Sequence, residues 1–81
     1  MSDDLGAARR AHLKKVYMTI ALAGSGGLAL SALPLAVGMG ADYTNELCSE
    51  LITSGLVRVT SIYGISREGI TKQFVVVVVD L

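Results

Sequence analysis

The sequence predicts a small membrane protein: one transmembrane helix over residues 16–41, a short amphipathic helix and a C-terminal β-hairpin. Three observations carry this. Residues 16–41 read VYMTIALAGSGGLALSALPLAVGMGA and hold no charged side chain. Basic residues crowd the N-terminal flank of that run. The remaining forty residues change from apolar spacings of three and four to stretches rich in β-branched side chains. The chain divides accordingly into a basic polar segment (1–15), a transmembrane helix (16–41) and a small α+β appendage (42–81).

Composition narrows the chemistry. Eighty-one residues allow one small domain at most. The net charge is zero, which argues against nucleic acid as a partner. A single cysteine, Cys48, makes no internal disulfide. One histidine and one cysteine fall short of the three or four ligands of a zinc site. The apolar fraction of 52% is high for a soluble domain and ordinary for a small membrane protein.

The first fifteen residues form a polar head. Ser2 or Asp3 can cap a helix, with Asp3 and Asp4 at its favourable N-terminal end. Arg9, Arg10, Lys14 and Lys15 then sit directly before the apolar run, whereas no basic residue follows it until Arg58. That asymmetry places the N-terminus on the cytoplasmic side of a bilayer. Tyr17 fits an interfacial anchor or an ordinary core tyrosine.

As a continuous helix the apolar run would be roughly 39 Å long, against a bilayer core of about 30 Å. Alanine, glycine and serine make up about half of it. Ala23, Gly27 and Ser31 follow a small-xxx-small spacing that lets a second helix approach closely, as do Ala32, Ala36 and Gly40. Gly24, Gly26 and Gly27 weaken a helix, and Pro34 can kink it or divide it in two.

Two further patterns overlap on this flank. Ala8-Arg9-Arg10-Ala11-His12-Leu13-Lys14 matches a twin-arginine export signal at four positions and departs from it at Ala8, where a serine or threonine belongs, and at His12, where an aromatic belongs. It implies an uncleaved anchor carrying a small subunit of a periplasmic complex, in a bacterial inner membrane. The stretch His12-Leu13-Lys14-Lys15-Val16-Tyr17, with Ala21-Leu22 after it, resembles the start of the first membrane helix of Bax inhibitor-1 proteins. The resemblance covers about one-sixth of the chain. It implies an endoplasmic-reticulum membrane protein with a cytosolic N-terminus that modulates calcium leak and cell death. The family's calcium-linked acidic residues lie in later helices that have no counterpart here, and nothing after Ala41 matches.

In the last forty residues, Asp42 or Thr44 can cap a helix and Gly55 is placed to end it. Leu47, Cys48, Leu51 and Ile52 share one apolar face, with Glu46 and Glu50 opposite. Cys48 reads as a small core residue. Strands follow over residues 56–65 and 70–79, joined at Ser66-Arg67-Glu68-Gly69, with Gly69 at positive φ. Depending on register, Arg58 or Thr60 faces Lys72 or Phe74. The run Phe74-Val75-Val76-Val77-Val78-Val79 is apolar on both faces and demands cover on both.

No catalytic constellation is present in the sequence. Gly24-Ser25-Gly26-Gly27 lacks the preceding strand and following lysine of a phosphate loop. No residue is assigned to catalysis, to a cofactor or to a metal. The expected role is that of a non-enzymatic accessory or modulator. Its expected partners are the lipid bilayer and a second protein or copy, met through the transmembrane helix and residues 74–79.

Overall fold

A computed structural model describes residues 2–79, with side chains from residue 6. The capping role of Ser2 or Asp3 lies outside the described side chains. Helix α1 (Ser2–Leu22) is followed by a 3₁₀ turn (Gly24–Gly26), a short strand β1 (Leu28–Ala29) and a second 3₁₀ turn (Leu30–Ala32). Then come α2 (Leu33–Val37), α3 (Ala41–Thr53) and the hairpin of β2 (Val57–Ser66) and β3 (Gly69–Val78). The three strands form one antiparallel sheet in the order β1-β3-β2.

The transmembrane reading of residues 16–41 is corrected by this arrangement. Among the described residues, no helix is long and apolar enough to cross a membrane. The uncharged run is cut three times by glycines at positive φ: Gly24, Gly27 and Gly38. Without a Cβ these positions take up the left-handed region freely, and each one ends or reverses a segment. The pieces fold back on each other. Val16 and Ile20 of α1, four residues apart, meet Leu33 and Val37 of α2 in the core. Pro34 kinks nothing; it lies in the first turn of α2, where its missing N–H goes unneeded.

Gly27 shows why the reversal needs glycine. A Cβ there would stand 2.6 Å from Val77 Cγ1 and 2.8 Å from the Val76 carbonyl oxygen, at a φ of 75°. The close approach lets β1 pair with β3, setting Leu28 opposite Val76 and Ala29 opposite Val75.

Helix α3 begins differently from expectation. Its N-cap is Gly40, and neither Asp42 nor Thr44 caps it. Asp42 lies in the first turn, and the fully buried Thr44 donates its hydroxyl to the Gly40 carbonyl at 2.8 Å. At its end, Leu56 N–H bonds Leu51 O and Gly55 N–H bonds Ile52 O, both near 3 Å, with Gly55 at φ 81°. This is a Schellman closure, and it turns the chain directly into β2.

The hairpin register sets Ser66 opposite Gly69, leaving Arg67 and Glu68 as a two-residue loop. The cross-strand pairs expected of Arg58 and Thr60 are corrected: they face Val77 and Val75, while Lys72 faces Tyr63 and Phe74 faces Ser61. The tight loop fixes this, because one rung at the turn determines every rung below it.

The core joins Val16, Ile20, Leu33, Val37, Leu47, Cys48 and Leu51 from the helices to Val57 and Val76 of the sheet. Val75 and Val77 are also buried. The valine run therefore finds its cover within this chain, from the helices and from the segment around Gly27. Burial pushes the Cys48 thiol above its ordinary pKa. The unfolded chain then loses that proton first. The stability Cys48 contributes is complete below the ordinary thiol pKa and is lost as pH rises through the raised folded value. A Cys48→Ala variant is expected to show a shallower alkaline loss of stability than the parent in urea titrations. Equal slopes would contradict this.

Candidate interaction surface

The helices carry the residues flagged on the N-terminal flank. Arg9 forms an ion pair with Glu50 of α3. That hydrogen bond to Glu50 raises the guanidinium pKa, but both side chains are partly exposed and water screens the pair, so it contributes little. One turn on, His12 Nδ1 lies 2.8 Å from the Tyr43 hydroxyl, with the two rings edge to face. Arg10, Lys14 and Lys15 are exposed. Leu13 and Tyr17 pack against the core. Arg10 and Lys14 border a groove of about 380 Å³ floored by Leu13, Tyr17, Leu51 and Leu56. In this fold the stretch from His12 to Tyr17 docks α1 on α3.

Ala23, Gly27 and Ser31 do not share a helix face. Ala23 follows α1, Gly27 sits at the chain reversal against β3, and Ser31 is in the second 3₁₀ turn. Small size is used at Gly27, but the neighbour it admits is a strand of the same chain.

Chemistry-bearing groups stay dispersed. Among the described residues, no cluster of three or more His, Cys, Asp or Glu could hold a metal ion. Every buried side-chain nitrogen or oxygen among them has a hydrogen-bond partner.

The feature that sequence reasoning missed is the far half of the hairpin. Residues paired across β2 and β3 point to the same side of the sheet. The side that enters the core at Val57, Val78 and Val76 continues outward as Val59, Ser61, Phe74, Tyr63, Lys72, Ile65 and Ile70. Beyond the helices no described residue covers it. Phe74 is 48% exposed, Tyr63 68%, Ile70 75% and Ile65 90%. The Lys72 ammonium lies 5.1 Å from the Phe74 ring centre, within cation–π range. The opposite side carries Arg58, Thr60, Gln73 and Thr71, with Ile62 its one large apolar member beyond the base. Beyond its base, where Val75 and Val77 are buried on the opposite side, the hairpin is amphipathic. Alternation of apolar residues at Val57, Val59, Tyr63 and Ile65 was the available signal; the valines at 75–79, four of them in β3, mark the covered end instead.

At the foot of this face is a notch of about 480 Å³ between the helices and the hairpin. Leu30, Ser31, Pro34, Ala41 and Asn45 line one wall, and Lys72, Gln73 and Phe74 line the other.

The tip is held in shape locally. Ser66 Oγ accepts the Glu68 N–H at 3.3 Å and donates to the Gly69 carbonyl at 3.2 Å. Thr71 Oγ1 donates to the Gly64 carbonyl at 3.4 Å.

Comparison with protein-family models, with curated proteins and with solved structures finds no match.

Proposed function

We propose that this chain is a non-enzymatic accessory protein that works by docking its projecting hairpin on a protein surface. One observation carries the reading: an apolar sheet face that runs continuously from the core into open solvent. Small folded chains rarely leave a contiguous apolar patch of several hundred Å² uncovered unless it binds something. The isoleucines at the tip meet each other across one rung and no core residue, so they add little to the fold itself. The dispersed histidine, cysteine and carboxylates give no competing centre among the described residues.

The reading is tested by placing a photo-crosslinking amino acid at Tyr63 in the expressed chain, with Ser49 on the exposed side of α3 as control. The expected result is discrete adducts from Tyr63 and none from Ser49. Equal labelling at both positions, or none at Tyr63, would overturn it.

A further inference from the structure

We infer that β2 offers its free edge to the β2 edge of a second copy, so that two hairpins join antiparallel into one continuous sheet. The inference goes beyond the docking reading, because it uses the strand edge rather than the apolar face.

Backbone parity gives the first argument. The Val79 N–H donates to the Leu56 carbonyl at 2.9 Å, so that rung is hydrogen-bonded. Antiparallel rungs alternate, and Arg58, Thr60, Ile62 and Gly64 therefore bond to β3. The N–H and C=O groups of Val59, Ser61, Tyr63 and Ile65 point the other way, to the outer edge, since β2 is the last strand of the sheet. Among the described residues, no hydrogen bond from outside the sheet reaches them.

Lack of protection gives the second. Natural edge strands are guarded by charge, proline or a bulge. Residues 59–65 read VTSIYGI, with neither charge nor proline. Their register with β3 runs without a bulge. The far edge of β3 differs: β1 takes it at Val75 and Val76, and further out it carries Lys72. Each chain thus has one long unguarded edge, and pairing two of them closes the assembly as a dimer.

Side chains give the third and name the occupant. Ile62 is the one large apolar residue on the polar side of the projecting hairpin; it is 46% exposed and its cross-strand neighbour is Gln73. With a two-fold axis through Ile62, it meets the partner's Ile62 in a non-hydrogen-bonded pair, where Cα atoms stand about 4.5 Å apart. On the apolar side, Val59 lies beside the partner's Ile65, and Ser61 beside the partner's Tyr63. The outward groups of the two edges then form about eight inter-chain hydrogen bonds. Sliding one strand by two residues in either direction sets Ile62 against Thr60 or Gly64 and loses the match. The paired segment, 59–65, includes no residue that the helices bury. The charged Arg58, Arg67 and Glu68 all lie outside it.

The test is sedimentation equilibrium of the purified chain from about 1 to 200 μM. The expected result is a monomer–dimer equilibrium. Tyr63 and Lys72 share a rung, and their N–H groups point to opposite edges of the hairpin. A proline at either position removes no hydrogen bond between β2 and β3. Both Tyr63→Pro and Lys72→Pro are therefore expected to keep a cooperative melt. Only Tyr63→Pro is expected to weaken the dimer, at least ~30-fold, because symmetry removes two inter-chain bonds at once. Should the proline variants fail to fold, Ile62→Cys in a Cys48→Ala background supplies an independent readout. A Cα separation of about 4.5 Å suits a disulfide. Oxidised glutathione is expected to link two chains at Ile62→Cys and not at Ile70→Cys.

A parent chain that stays monomeric at about 200 μM overturns the inference. So do multimers that grow without limit, equal weakening by both prolines, or equal linking at both cysteine positions. Monomers with Tyr63 adducts to a different protein would remove the pairing and leave the docking reading standing. A dimer whose Tyr63 adducts join only its two copies would do the reverse.

Discussion

Replacing Val76 with aspartate is expected to abolish the folded state. Val76 is fully buried, lies on the central strand and pairs with β1 on one side and β2 on the other. A carboxylate there would enter the apolar cluster that also holds Val16, Ile20, Leu33 and Leu47. An unpaired buried charge costs about 3–5 kcal/mol or more. At roughly 0.05–0.15 kcal/mol per residue, a chain of this size holds only about 4–12 kcal/mol in total. Circular dichroism should show loss of the cooperative thermal transition. A cooperative melt close to that of the parent would mean that β3 is not the centre of the fold.

Leu47→Ala should come next in severity. Leu47 is fully buried on α3 and contributes to the same cluster. Truncation removes its transfer free energy and leaves a cavity, together about 2–5 kcal/mol. In urea, the midpoint should fall with little change in slope. A change below ~1 kcal/mol would place Leu47 at a surface that collapses easily. Ile65, equally apolar and 90% exposed, marks the contrast: its truncation is expected to move the urea midpoint far less than that of Leu47.

The sequence and the structure agree most where periodicity is strong and local. Helix α3 is legible because Leu47, Cys48 and Leu51 recur on one face and Gly55 closes it. The hairpin is legible because a tight turn divides two β-branched runs. The N-terminal half is not, and the reason is physical. Lack of charge is compatible with lipid and with a protein core alike. What separates them here is backbone conformation at Gly24, Gly27 and Gly38, which sequence spacing does not report. Strand β1 is two residues long and exists only because β3 offers an edge some fifty residues later, beyond the reach of any local pattern. The exposed apolar face was partly legible. Its residues alternate as a half-covered strand should, but how far the helices reach along the hairpin depends on tertiary packing.

Strand order has a kinetic consequence. The middle strand of the sheet is the last element described, and it joins β2, its hairpin neighbour, to β1, some fifty residues earlier. Val16, Ile20, Leu33 and Val37 are made early, but their sheet partner Val76 arrives after every helix is complete. Loop closure over so many residues must precede the contacts that reward it, which slows the final step. During synthesis the uncharged run from residue 16 to 41 is therefore open to chaperones, or to anything else that binds apolar segments, until β3 arrives to claim it.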